Sequence, residues 1–169
     1  MNGFRVGIVV LSDSASRGER PDLSGPLLVE LAEGEGWEAL PVRRIPDEPE
    51  ALAREIVDLI EGAGADLILT SGGTGLSPRD RTPEATVPLL DFQVPGIPEL
   101  LRAQGRRKNP AAVLSRGVAG VRGRTLIVNL PGSPRAVEES WPLLAPIVPH
   151  ALAVASGGVR ECGRGAEGG

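Results

Sequence analysis

The chain has 169 residues, enough for one ordinary domain with its own core. It is 41% hydrophobic and 24% charged with a net charge of −4, which excludes a disordered polymer. One histidine, His150, and one cysteine, Cys162, exclude histidine-built metal centres, zinc or iron–sulfur clusters and a disulfide framework. Aromatic residues are 2% with no tyrosine, so stacking platforms for nucleic acid are not expected in this acidic chain. No apolar run approaches the roughly 18 residues of a membrane-spanning helix. The run from Val6 to Leu11 is too short for a signal peptide, so the expectation is a soluble, cytoplasmic protein that binds neither nucleic acid nor membrane.

From the N-terminus, RVGIVVL (residues 5–11) is nearly all apolar and rich in β-branched residues. That is the pattern of a strand buried on both faces of a parallel sheet. A polar loop with Gly and Pro comes next, over 12–25. Pro26 suits the first turn of a helix reaching about Glu35, because a first-turn proline gives up no needed N–H. Leu27, Leu28, Leu31 and Ala32 form its apolar stripe, and Gly34 and Gly36 end it. Residues 38–45 predict a second strand. A helix over about 50–61 then presents Leu52, Ala53, Ile56, Val57 and Ile60 on one face.

DLILTS (66–71) predicts a third strand. Thr82-Pro83-Glu84 reads as an N-cap, a first-turn proline and an acidic first-turn residue. The stretch 95–116 is helical in parts, with a start near Pro98. RTLIVNL (124–130) predicts another buried strand. Pro131-Gly132-Ser133-Pro134 then turns into a helix carrying Val137, Trp141 and Leu144, and Pro142, Pro146 and Pro149 break or kink the chain from there on. From Gly157 the chain has little to bury, so 1–156 reads as a single domain and 157–169 as a flexible tail. His150 has no acid nearby in sequence and is expected to be structural or exposed; Cys162, in the tail, is expected to be inert.

Alternating strands and helices predict an α/β fold, a mostly parallel sheet with helices on both faces. Ligands of such folds sit at the carboxyl ends of the strands. The unusual segments fall there. Ser71-Gly72-Gly73-Thr74-Gly75 ends a buried strand, and its glycines permit positive φ and an anion-binding nest of backbone N–H groups. It matches neither the Walker nor the dinucleotide spacing, and a glycine-rich turn without a ligand is the plain alternative. Asp80, between Arg79 and Arg81, is a natural Mg²⁺ ligand if the nest holds phosphate; otherwise the triplet is a solvated ion cluster. Asp47 is either a second acidic group at this edge or a cap for the next helix. Ser12, Asp13, Asp22, Ser24 and Gly25 lie in polar loops that suit a ligand or serve as caps and turns. Pro131, Gly132 and Ser133 open a helix whose N-terminal amides suit an anion or simply a cap.

Together, TSGGTGLSPRDRTPEAT (70–86), SDSAS (12–16), DLSG (22–25), IPDE (45–48) and NLPGSP (129–134) resemble the MogA/MoaB family of molybdenum-cofactor biosynthesis proteins, which includes gephyrin N-terminal-like domains. The similarity spans about residues 4–156. It implies a three-layer α/β/α sandwich with a mostly parallel central sheet, usually a homotrimer. The implied reaction is Mg²⁺-dependent adenylylation of molybdopterin by ATP, releasing pyrophosphate. The resemblance places the important acidic groups, and the metal, on Asp47 and Asp80. It places substrate and nucleotide contacts on Ser12, Asp13, Asp22, Ser24, Gly25, Ser71, Gly72, Gly73, Thr74, Gly75, Thr82, Pro131, Gly132 and Ser133. A downstream molybdate-insertion protein is the implied partner. One departure stands out: Leu23 occupies a loop position where many members carry a basic residue, so if that charge meets substrate phosphate another residue such as Arg17, Arg20 or Arg79 must supply it. The compact chain looks nearer the MoaB branch, so a non-catalytic binding or assembly module is the alternative. A CinA-like nucleotide hydrolase is disfavoured by the RDRTPEAT continuation.

Overall fold

The computed structural model describes residues 3–158; residues 159–169, which include Cys162 and most of the predicted tail, lie outside the described residues. Strand β1 (Arg5–Leu11) is central. Its alternation places Val6, Ile8 and Val10 on one face and Val9 and Leu11 on the other. Gly7 lets helix α3 (Pro49–Glu61) approach, since a Cβ there would lie 2.9 Å from Leu59 Cδ1.

The sheet has seven strands in the order β2-β1-β4-β7-β6-β5, with β3 also paired to β1. β4 (Leu67–Ser71) and β7 (Thr125–Leu130) continue the parallel ladder from β1. Residues 38–45 do not form one strand. They split into β2 (Glu38–Ala39) and β3 (Arg43–Ile45), both parallel to β1, because Pro41 has no N–H to extend the ladder. An antiparallel edge not anticipated from sequence is added by β6 (Ala119–Arg122), which turns directly into β7, and by β5 (Phe92–Gln93), which pairs with β6 across the intervening segment 94–118. Its short strands show no clean alternation to read.

Two buried layers flank the sheet. On one face lie α2 (Ser24–Gly34), α5 (Gly96–Gly105), α6 (Pro134–Leu144) and α7 (Val148–Ala155), packed through Leu28, Ile97, Trp141 and Leu152. On the other lie α3 and the short α4 (Thr82–Thr86), packed through Leu52, Ile56, Leu59 and Ala85. Fully burying a side chain such as Ile56 or Leu59 contributes about 1.5–3 kcal/mol. The architecture is the expected three-layer sandwich with a mixed, mostly parallel sheet.

Local boundaries differ from the cap patterns of the sequence. α1 is a single turn, Asp13–Ser16, capped by the Ser12 hydroxyl, which accepts from Ala15 N at 3.2 Å. α4 is preceded by Arg81, not Thr82, because the Thr82 hydroxyl is engaged elsewhere. α5 starts at Gly96, putting Pro98 in its first turn. Ser133 does cap α6, accepting from Ala136 N at 3.2 Å. His150 lies within α7. Among the described residues, no helix is long and apolar enough to cross a membrane.

Candidate functional site

Parallel pairing brings four strand ends to one edge. Leu11 stands opposite Ile45, Val10 opposite Ser71, and Ser71 opposite Leu130. The chain leaves β1 toward β2 and β3 on one side and returns as β4 on the other, so the strand order reverses between β1 and β4. That reversal opens the crevice in which ligands of open α/β sheets bind. Ser12, Asp47, Gly72 and Pro131 all sit where the chain leaves the sheet at this edge.

The glycine-rich loop has one feature that organises the rest. Four consecutive carbonyls are tied to the protein. Gly72 O accepts from the Thr82 hydroxyl at 2.9 Å, and Gly73 O from Thr82 N at 3.1 Å. Thr74 O accepts from Arg116 N at 2.8 Å, and Gly75 O from Arg116 Nε at 2.8 Å. In a trans peptide, C=O and N–H point in opposite directions. The amides of Gly73, Thr74, Gly75 and Leu76 therefore point away from these ties, and among the described residues none of the four has a protein acceptor. Successive unengaged backbone donors of this kind are what an anion nest is built from. The row sits one residue beyond the predicted 72–75, because the Gly72 amide is engaged by Leu130 O at 3.2 Å.

Glycine is required at the head of the loop. Gly72 has φ +107°, and a Cβ there would lie 2.5 Å from Leu11 O. Gly73 has φ +66°, and a Cβ there would lie 2.2 Å from Thr82 Oγ1. Gly132 packs against Gly72 as well, its Cβ position being 3.2 Å from Gly72 Cα. Thr82 thus acts as a loop tie, while Ser71, fully buried, donates to Pro131 O at 3.1 Å and joins the two strand-end loops.

The acidic residues gather beside the nest. Asp13 and Asp47 exchange hydrogen bonds: Asp47 N donates to Asp13 Oδ1 at 3.0 Å, and Asp13 N donates to Asp47 Oδ2 at 3.2 Å. Asp47 is therefore not the cap of α3; Glu48 holds that position without a side-chain cap bond. Arg79 closes on Asp13 at 2.7 Å. The Asp47 N–H, then Arg79, hold the Asp13 carboxyl below its ordinary value. Burial first, then the like charges of Asp13 and Asp80, push Asp47 up. Asp80 accepts from Ser77 N at 3.0 Å, and its Oδ2 lies 2.8 Å from where a Gly75 Cβ would stand.

Two cavities border these loops. The smaller, about 230 Å³, is lined by Ser12, Arg20, Asp22, Leu23, Ser71 and Gly132 among others. The larger, about 660 Å³, is lined by Thr74, Gly75, Arg107, Lys108, Ser133 and Arg135 among others. Asp13, Asp47 and Asp80 line neither cavity; they stand on the loops beside them. Asp22, on the wall of the smaller cavity, also has a structural part: its side chain is 3% exposed beside Arg44 and accepts from Gly25 N at 2.9 Å at the start of α2. Ser24 donates to Asp22 at 3.3 Å, and Gly25 packs its backbone against the Asp22 carboxylate. Of the three arginines expected to replace a cation at Leu23, Arg17 is paired with Glu19 and Arg79 with Asp13, each at 2.7 Å. Arg20 is the one on a cavity wall.

Two residues that hold the site together are not singled out from the sequence: the buried Asn129, which opens the NLPGSP segment, and Arg116, which lies in no motif. Asn129 Nδ2 donates to Thr70 at 2.9 Å and Thr86 at 3.1 Å, tying β7 to β4 and α4. Arg116 is 41 positions from Gly75, and no local pattern reports that contact. Its guanidinium also donates to Asp80 O and to the Glu84 carboxylate, holding the Glu84 carboxyl below its ordinary value.

Residues 7–150 match the family described as probable molybdopterin binding domain. The chain is 52% identical to the crystal structure of the molybdopterin biosynthesis enzyme MoaB from Thermus thermophilus, with a TM-score of 0.85 over 91% of this chain and 97% of that one. It is 39% identical over 143 residues to the molybdopterin adenylyltransferase of Escherichia coli, covering 83% of this chain and 73% of that protein. It is 37% identical over 154 residues to the molybdenum cofactor synthesis protein cinnamon of Drosophila melanogaster, covering 90% of this chain but 26% of that longer protein. With this sheet order, this loop and these relatives, the chain belongs to the MogA/MoaB molybdopterin-binding family of molybdenum-cofactor biosynthesis.

Proposed function

We propose that this protein adenylylates molybdopterin with Mg-ATP, releasing pyrophosphate. The observation that carries this reading is the nest at 73–76, with four unengaged amides directed away from their tied carbonyls, beside Asp47 and Asp80. Two adjoining cavities suit a reaction with two substrates.

In this reaction a phosphate oxygen of the pterin attacks the α-phosphorus of ATP. A new P–O bond forms, the bond to the β-phosphate oxygen breaks, and pyrophosphate leaves. The step needs no protein nucleophile; it depends on positioning and on neutralising spread negative charge. The amides of 73–76 would hold phosphate oxygens, and Arg20 would face an anionic group in the smaller cavity.

Asp47 and Asp80 suit Mg²⁺ chemically. Both offer hard oxygen donors, and Asp47 is raised by burial and by neighbouring carboxylates, a strain that a cation relieves. Among the described residues no group of three or more ligating side chains converges, so phosphate and water would complete the shell. Mg²⁺ bound there supplies charge neutralisation on the triphosphate. The homotrimer implied by the resemblance, and hand-over of the product to a molybdate-inserting protein, belong to the same proposal.

The test is Asp80→Asn assayed for molybdopterin-dependent pyrophosphate release. Turnover at saturating substrates is expected to fall at least tenfold with circular dichroism unchanged. Full activity in the variant removes the metal role of Asp80. A binding-only module is the second reading, favoured by Leu23 on the cavity wall and by the 52% identical MoaB structure.

A further inference from the structure

We infer that Arg116 is the positioning residue of the phosphate loop, setting the direction of the Leu76 amide and the place of Asp80 from a single guanidinium. This rests on the nucleotide reading above, since triphosphate is the ligand it serves. The Arg116 backbone N–H holds Thr74 O, so that tie survives any side-chain change. The side chain holds three further points of the same loop and the helix behind it: Gly75 O through Nε at 2.8 Å, Asp80 O, and the Glu84 carboxylate.

The consequences differ along the loop. Gly75 has no side chain to restrain its peptide. With Gly75 O pinned, the Leu76 N–H is held pointing away from Arg116; without the pin, that peptide is free to rotate. The Gly73 and Thr74 amides are set by Thr82 and do not depend on Arg116. At Asp80, Arg116 fixes the backbone while Ser77 N fixes the carboxylate, at 3.0 Å. Arg116 therefore couples the far half of the nest to the carboxylate proposed to hold the cation. A planar guanidinium spans these acceptors in one geometry, which a lysine ammonium does not reproduce.

The experiment uses inorganic tripolyphosphate with the full chain, read by amide NMR titration. In the wild type, the amides of Gly73, Thr74, Gly75 and Leu76 are expected to shift together. In Arg116→Lys the Leu76 response is expected to vanish while those of Gly73 and Thr74 persist, and Kd is expected to rise at least tenfold. Adding Mg²⁺ is expected to strengthen binding less in the variant than in the wild type. Wild-type-like binding and shifts in Arg116→Lys overturn the inference and leave the nucleotide reading standing. Absence of any loop response in the wild type overturns both. An independent check needs no variant: the Arg116 Nε–H of the wild type is expected to exchange slowly with solvent, both with and without tripolyphosphate. Fast exchange overturns the inference.

Discussion

Replacing Gly73 with alanine perturbs the loop at its tightest point. The added Cβ would stand 2.2 Å from Thr82 Oγ1, and the residue must keep φ +66°. Holding an L side chain in that left-handed region costs about 1–2 kcal/mol. The overlap also drives the Thr82 hydroxyl from Gly72 O, its 2.9 Å acceptor. Thr82 is 1% exposed, so the hydroxyl has little access to water. Leaving such a buried pair unmade costs about 1–3 kcal/mol. Gly73→Ala is therefore expected to destabilise the fold by about 2–5 kcal/mol. In a Thr82→Ala background the hydroxyl is already gone and the overlap is relieved. There Gly73→Ala is expected to cost only the backbone strain, about 1–2 kcal/mol. The double-mutant cycle should show a coupling of about 1–3 kcal/mol. Urea unfolding at fixed protein concentration, followed by the fluorescence of Trp37 and Trp141, whose rings lie 5.6 Å apart in the core, reads all four variants. Additive effects within about 0.5 kcal/mol would show that Gly73 makes no close contact with the Thr82 hydroxyl.

Cation-dependent ATP binding should track Asp47. A cation needs the carboxylate, whose pKa is raised above 3.8 by burial, so binding is full above that raised value and is lost as pH falls through it. Calorimetry of Mg-ATP across acidic pH is expected to show this loss, and Asp47→Asn is expected to remove it. The pair carries opposite signs for stability: protonating Asp47 favours the folded metal-free chain, whereas the contribution of Asp13 is present above the ordinary carboxylate range, fades as pH falls through that range to its depressed value, and is gone below it. Gly7→Ala should cost about 1–3 kcal/mol by overpacking against Leu59, with thermal denaturation as the readout; an unchanged Tm contradicts the close approach of α3. Arg20→Ala should raise the KM of one anionic substrate about fivefold, as losing roughly 1 kcal/mol of exposed charge pairing implies, with kcat nearly unchanged.

Much of the fold is legible because buried parallel strands announce themselves. The apolar runs at 5–11, 66–71 and 124–130 each form a central strand within a residue or so, with their helices in the expected order. The antiparallel edge of β5 and β6 is not legible, since a two-residue outer strand leaves too short a period to detect and its partner lies beyond an intervening helix. The loops at the strand ends are legible as well, because glycines and polar residues cluster there. Their internal bonding is not. Thr82 reads as a cap because a Thr-Pro-Glu sequence is a cap pattern, yet its hydroxyl reaches back ten residues to Gly72. Asp47 looks like a helix cap by the same local logic, but its partner is Asp13, 34 residues away. Arg116 carries no motif on its own; only the folded chain brings it to the loop. Local chemistry is written in neighbouring residues, whereas the ties that aim the nest are long-range and polar, with no periodicity to betray them.

The most direct test of the central claim is a single-turnover incubation of the protein with molybdopterin and ATP, scored by mass for the adenylylated pterin. That product is expected only when Mg²⁺ and ATP are both present, with pyrophosphate in equal amount. Molybdopterin retained by the protein with no adenylylated product would contradict catalysis and leave a binding module in its place.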